Sequence, residues 1–209
     1  MSGMGDVRRR FFDERAAAWM DTWYFNPETG RYDRHAEKFD RLFRLAPVAT
    51  GEKVLDAGCG SGVLVPHLLE RIGPDGRVYE VDYAAGMIAE NRRLHPDPRI
   101  IFHVADVLAM PLQDAACDVV ICFSCFPHFA DKPAATRELA RVLRPGGRIL
   151  VAHFDSSADI NRHHRKAEAV MHDHLPDAAE MCFLFRCAGI VPGLCLDEDG
   201  FYLVLGSRP

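Results

Sequence analysis

The run Val54-Leu55-Asp56-Ala57-Gly58-Cys59-Gly60-Ser61-Gly62 decides the fold. Apolar residues lead into an acid and then into alternating glycines, the pattern of a buried strand handing over to a helix through a tight loop. Glycine at 58, 60 and 62 lets the backbone approach a ligand without obstruction, and the helix that follows presents unpaired N–H groups at its start. A dinucleotide fingerprint wants a glycine or alanine three positions after its second glycine. Val63 stands there, and the third glycine comes one position early. The loop therefore suits a smaller, zwitterionic ligand tail.

Downstream of this loop, short apolar runs alternate with helical stretches: RVYEVD, AAGMIAENRRL, RIIFHVAD, CDVVICF, AATRELARVL and GGRILVAHF. Strands such as Val119 to Phe123 are apolar at consecutive positions, as expected when helices cover both faces of a parallel sheet. Right-handed crossovers then give a doubly wound open sheet. After Ala188-Gly189, the runs IVPGLCL and FYLVLG around the acidic turn DEDG read as a closing antiparallel hairpin. The expectation is an α/β fold with a mostly parallel, seven-stranded, Rossmann-like sheet. Upstream, apolar spacing from Val7 to Trp23 predicts one amphipathic helix. A second, marked by His35, Ala36, Phe39, Leu42, Phe43 and Ala46, ends before Pro47.

The 209 residues suffice for one core, and no linker or internal repeat divides them. Hydrophobic residues at 48% and charged residues at 26% exclude a disordered chain. A formal charge of -5 supplies no basic surface for a phosphate backbone, so no nucleic-acid partner is expected. In MSGMGDVRRRFFDERAAAW the arginines are followed by acids, which supports neither a secretory signal nor a mitochondrial presequence, and no run approaches a bilayer span. Seven cysteines, most of them in apolar runs, read as reduced core thiols of a cytoplasmic protein.

Two acids follow the glycine loop at strand ends. Asp82 closes the second strand about 20 residues beyond the loop, where a carboxylate accepts hydrogen bonds from ribose hydroxyls. Asp106 closes the third strand and can accept from an adenine amine, with Val107 and Leu108 beside it. Each acid alone reads as an N-cap or a solvated turn. Placed at successive strand ends, they converge on one nucleoside.

With FFDERAAAW, VLDAGCGSG, VDYAAGMIAENRR, VADVLAMPLQDAACDVVICF and LARVLRPGGRILVAHF in order from Phe11 to Phe154, the chain resembles a class I S-adenosylmethionine-dependent methyltransferase of the ubiquinone/menaquinone-biosynthesis-like, type 11 group. The resemblance implies that Asp56, Gly58, Gly60 and Gly62 surround the methionine part of S-adenosyl-L-methionine. It further implies that Asp82 holds the ribose, that Asp106 reads the adenine, and that Met87 packs near the adenosine. Tyr83, in place of the usual small aliphatic residue, Val107 and Ser124 complete the cofactor set. It also implies a division of one domain into an N-terminal helical lid (1–50), a cofactor-binding core (51–154) and a His-rich insertion with the hairpin (155–209).

Displacement at a sulfonium has a neutral leaving group, so alignment and exclusion of water matter most. A protic acceptor also needs a base, for which His128 in CFPHF and His153 at the end of the fifth strand are the candidates. For His128 the alternative is that it merely shapes the pocket, as histidines at this place in the family often do. A departure from the family pattern follows: with His153, the run NRHHRKAEAVMHDH holds half of the chain's ten histidines. If Ser157 to Asp173 is one helix, His164, Glu168 and His172 share a face and, with His153, suit a divalent metal or a polar substrate wall. Asp155, Asp159 or Asp173 would then orient the ligating rings. Arg162, Arg165 and Lys166 favour the other reading, a solvated face. Cys122 and Cys125 fall at a strand exit and, three apart, are expected on opposite faces, so no zinc or redox pair is inferred from them.

The expected activity is methyl transfer from S-adenosylmethionine to a small-molecule acceptor. A nicotinamide-dependent oxidoreductase, disfavoured by the glycine spacing, and a non-catalytic S-adenosylmethionine-binding protein are the alternatives.

Overall fold

The computed structural model describes residues 3–209, with side chains from Val7 onward. Met1 and Ser2, the start of the expected lid segment, lie outside the described residues. One sheet of seven strands runs through the molecule in the order β3-β2-β1-β4-β5-β7-β6. Its strands are β1 (Lys53–Ala57), β2 (Arg77–Asp82), β3 (Ile100–Val104), β4 (Cys117–Phe123), β5 (Leu143–His153), β6 (Val191–Glu198) and β7 (Phe201–Ser207). The first five are parallel, β7 is antiparallel to β5, and β6 returns antiparallel along β7.

Alternation along β4 explains the unbroken apolar runs. Val120 and Cys122 enter one core, with Leu55, Leu139, Met181 and Phe185, whereas Val119, Ile121 and Phe123 enter the other, with Val54, Leu42, Leu64 and Leu68. Helices α3 (Ala36–Leu45) and α4 (Val65–Ile72) cover the second core, and α6 (Lys132–Val142) and α8 (Ala178–Cys187) cover the first. Each fully buried leucine contributes about 1.5–3 kcal/mol. Between β1 and β2 runs α4, between β2 and β3 runs α5 (Ala85–Leu94), and the order then jumps across β1 to β4. That reversal opens a crevice at the carboxyl ends of β1 and β4, the usual ligand position in such sheets.

Two expected helices come out differently. The single helix from Val7 to Trp23 is instead α1 (Gly3–Asp13), a 3-10 turn (Ala16–Ala18) and the short α2 (Trp19–Trp23). Side-chain bonds to the core fix the break: the Asp13 carboxylate accepts from the Gly86 N–H at 2.7 Å, at the start of α5, and the Ser61 hydroxyl donates to the Ala16 carbonyl at 3.1 Å. The helix from Ser157 to Asp173 stops as α7 (Ser157–His164), and Glu168–Val170 form only a 3-10 turn. Here Asn161 holds the returning chain, its amide donating to the Leu175 carbonyl at 2.9 Å and its oxygen accepting from the Leu175 N–H at 2.8 Å. Among the described residues no helix is long and apolar enough to cross a membrane.

Candidate active site

A cavity of about 340 Å³ lies at the carboxyl ends of β1 to β4, under α1 and α2. Its floor begins at the glycine loop, where the Gly58 and Cys59 N–H groups donate to the Val81 carbonyl at 2.7 and 3.1 Å and draw the loop over β2. Gly58 has φ +73°, and a methyl there would sit 2.6 Å from the Cys125 Cβ, so only glycine lets β4's exit close on the loop. At Gly60 the added atom would meet nothing nearer than Trp19 Nε1 at 3.8 Å. This glycine keeps the cavity open. Gly62 does a different job: an added methyl would lie 2.2 Å from the Asn91 Oδ1, and Gly62 is not a wall residue of the cavity. Its missing side chain makes room for the buried Asn91, whose amide donates to Glu80 at 2.7 Å and ties α5 to β2.

Asp56, too, belongs to the support and not to the wall. It is buried beneath the loop, and burial together with the neighbouring Glu80, Cys122 and Asp82 pushes its carboxyl well above the usual range. Glu80 was not singled out by the sequence reading. Burial raises it to about 7, against the hydrogen bonds from Cys59 and Asn91 that lower it. Asp56 and Gly62 thus stand behind the loop and not in the wall of the cavity.

Asp82 does reach the cavity. Its Oδ2 accepts from the Gly60 N–H at 3.0 Å and its Oδ1 from the Ala84 N–H at 2.8 Å, which orients the carboxylate and leaves lone pairs for a ligand hydroxyl. Burial raises its pKa to about 6, opposed by the Ala84 and Gly60 N–H groups. Tyr83, Met87, Asp106, Val107 and Ser124 are also wall residues. The Asp106 Oδ1 accepts from the Leu108 N–H at 2.9 Å, so Leu108 shapes the turn without facing the cavity. Ser124 holds φ +54°, a strained value for a residue with a side chain, where β4 gives way to the 3-10 turn Phe126–His128. That turn in backbone direction brings Cys122 and Cys125 into the same core, not onto opposite faces.

The residues of the upper wall are ones the sequence reading did not single out. Phe12, Trp19 and Tyr24 face the cavity, Phe12 packing edge-on against Trp19 at 5.6 Å, His128 at 5.2 Å and Tyr83 at 6.3 Å. Arg8 and Arg9 project from α1, with the Arg9 guanidinium 5.5 Å above the Tyr83 ring. Among the described residues the Arg8 Nε and the Tyr83 hydroxyl are buried without a hydrogen-bond partner, two polar atoms that a ligand could meet. The sequence signal was present in the helical spacing of Phe12 and Trp19, but it does not say which face a broken helix turns inward.

His128 stands in the cavity wall, and its Nδ1 lies 2.6 Å from the Asp173 Oδ2. Asp173 is 3% exposed and also pairs with the Arg8 guanidinium, whose other arm donates to the His128 carbonyl at 2.8 Å. His153 takes a different position from the one expected. It is 2% exposed, packed edge-on against Tyr202 at 6.1 Å, and does not line the cavity. Burial lowers its pKa to about 3, helped by His128 and His164, so it is a neutral core histidine.

The metal set His153, His164 and His172 is not assembled. With α7 ending at His164, Glu168 and His172 leave the shared face and are exposed, whereas His164 turns inward, its Nδ1 3.1 Å from the Asp173 carbonyl and its ring 5.2 Å from that of His128. Among the described residues no three His, Cys, Asp or Glu side chains converge as a metal ion requires.

Comparison with known proteins places this architecture. Residues 55–151 match the family described as "Methyltransferase domain". The demethylmenaquinone methyltransferase of Thermus thermophilus is 39% identical over 117 residues, covering 54% of this chain and 52% of that protein. The 27-O-demethylrifamycin SV methyltransferase of Amycolatopsis mediterranei is 31% identical over 136 residues, 63% of this chain and 49% of the relative. This chain thus spans about half the length of those two relatives. Among solved structures, the methyltransferase bound to the Haloferax volcanii Trm112 activator superposes with a TM-score of 0.76 at 25% identity, covering 95% of this chain and 97% of that one. A SAM-dependent methyltransferase from Aquifex aeolicus shares the fold, with a TM-score of 0.68 over 100% of both chains at 18% identity.

Proposed function

We propose that this chain, whose residues 55–151 match a methyltransferase-domain family, transfers a methyl group from S-adenosylmethionine to a small-molecule acceptor bearing a protic nucleophile. One observation carries the reading. Gly60 after β1, Asp82 ending β2 and Asp106 after β3 meet in the wall of a single cavity that also contains His128.

The residues fit the cofactor. The open space at Gly60 accepts a methionine tail at the loop, the Asp82 carboxylate keeps lone pairs for ribose hydroxyls, and Tyr83, Met87 and Val107 offer apolar surface for a purine with Asp106 at its edge. Ser124 and Gly58 border the same space. When bound, S-adenosylmethionine supplies an electrophilic methyl on a sulfonium that departs as a neutral thioether. The protein's share is then to align the acceptor, exclude water and accept a proton. Phe12, Trp19 and Tyr24 form the apolar cover that keeps water out. His128 takes the proton: its Nδ1 is held by Asp173, which leaves Nε2 as the acceptor for an O–H or similar group as the new bond to carbon forms.

In this reading residues 1–50 serve as the lid, 51–154 as the cofactor core, and 155–209 as the segment that supplies Asp173 and the closing hairpin. The setting is cytoplasmic, consistent with seven cysteines present as free thiols. The test is methyl transfer from methyl-labelled S-adenosylmethionine to a panel of phenols, carboxylic acids and amines. Turnover with a protic acceptor that is lost in His128→Ala supports the reading. Tight cofactor binding with no transfer to any class would point to a non-catalytic binding protein instead.

A further inference from the structure

Arg8 and Asp173 are 165 residues apart and neither belongs to a motif, yet together they grip His128 from two sides. The Asp173 carboxylate meets the His128 Nδ1 at 2.6 Å and the Arg8 guanidinium with its other oxygen, while Arg8 also donates to the His128 carbonyl at 2.8 Å. The Asp173 carbonyl in turn holds the His164 Nδ1 at 3.1 Å. A carboxylate only accepts, so this arrangement places the imidazole proton on Nδ1 and leaves the Nε2 lone pair without a protein partner among the described residues. Arg8 sits on α1, the helix that covers the cavity, and α1 packs on α5 and on the Glu168–Val170 turn just before Asp173.

We propose that Asp173 is a positioning residue that fixes the tautomer of His128, and that Arg8 ties this same carboxylate to α1, so that the group that orients the base also helps to seat the helix over the cavity. The inference rests on the reading of His128 as the base. The groups facing the dyad are Arg8 from α1, Lys132 from α6, His164 from α7 and His153 from β5, with Tyr83 close to Arg8 and Asp173. Asp173 is the carboxylate that meets both Arg8 and His128.

The test is nitrogen-15 NMR of the histidine-labelled, cofactor-free full chain at about pH 8, where an ordinary imidazole is neutral. The wild-type chain is expected to show His128 protonated at Nδ1. In Asp173→Asn, Arg8 claims the amide oxygen and turns the amide NH₂ toward His128, so the proton is expected to move to Nε2. Arg8→Gln keeps the carboxylate and so the Nδ1 proton, but hydrogen exchange along α1 is expected to quicken by about tenfold or more as a charged hydrogen-bond pair is lost. This second variant keeps the test valid if Asp173→Asn does not fold. An Nε2 proton in the wild type, or an unchanged Nδ1 proton in Asp173→Asn, overturns the positioning role, and unchanged α1 exchange in Arg8→Gln overturns the coupling. Failure of the underlying reading has a separate signature, the absence of S-adenosylmethionine uptake by the wild-type chain in calorimetry.

Discussion

The floor of the cavity and its upper wall are built on different principles. The floor comes from strand ends: Gly58 and Gly60 follow β1, Asp82 ends β2, Asp106 and Val107 follow β3 and Ser124 follows β4, and the sheet's hydrogen bonds fix the distances between these ends. In the upper wall Arg8, from the first helix, meets Asp173 across 165 residues, and Asp173 meets His128 across 45. The floor is rigid because it is an extension of the core. The wall holds through a few polar contacts between separate segments, so it can part to admit ligands without disturbing the sheet.

The largest expected effect breaks the apparent unity of the floor. Gly62→Ala forces a methyl to 2.2 Å from the Asn91 Oδ1 at φ +86° and is expected to cost about 2–5 kcal/mol in denaturant unfolding. Gly60→Ala, with 3.8 Å of clearance, should cost only the backbone strain of about 1–2 kcal/mol while weakening cofactor binding. Equal stability losses would refute the division of labour between these two glycines. Next, Asp82→Ala should reduce S-adenosylmethionine affinity by about 1–3 kcal/mol in calorimetry, the loss of charge-assisted bonds to the ribose; an unchanged affinity in a folded variant removes the ribose assignment.

How much of this was legible in the sequence follows the same boundary. Asp82, Asp106 and Val107 were legible because local strand patterning carries each one to a strand's carboxyl end, whereas Tyr83, Met87 and Ser124 came with the resemblance; all six line the cavity. Asp56 and Gly62 belong to the motif that spacing reveals, but spacing does not reveal that Asn91 fills the room behind Gly62. The histidine run was over-extended as a helix because periodicity does not register Asn161 capturing Leu175. Arg8, Phe12, Trp19 and Tyr24 were not assigned to the site, since their positions depend on Asp13 and Ser61 breaking the first helix.

Two smaller effects sharpen the contrast within the histidine-rich wall. His153 has its pKa lowered to about 3 in the folded chain from an ordinary value of about 6.5. The unfolded chain therefore binds the extra proton first, and the stability present above pH 6.5 is lost as the pH falls toward 3, by at most about 1.4 kcal/mol per pH unit. Burial raises Asp82 and Glu80 and acts in the opposite direction, but it is common to both proteins when wild type is compared with His153→Leu. The wild type should lose stability more steeply between about pH 6.5 and 5, and parallel curves would contradict a buried neutral His153. At the low end, His164→Ala should cost about 1 kcal/mol through its lost bond to the Asp173 carbonyl, and the exposed His172→Ala less than about 0.5 kcal/mol. A larger loss at His172 would restore the shared helical face that the chain's return at Asn161 rules out.

The most direct test of the account is a calorimetric titration of the wild-type chain with S-adenosylmethionine from about pH 8 down to pH 5, with NAD as control. The carboxylate form of Asp82 is the one that accepts ribose hydroxyls, and its pKa is raised to about 6. Affinity should therefore hold above that pH and fall by up to about tenfold per unit below it, with no uptake of NAD. Binding of NAD in preference to S-adenosylmethionine, or an affinity that does not change across pH 6, would contradict the assignment of this cavity.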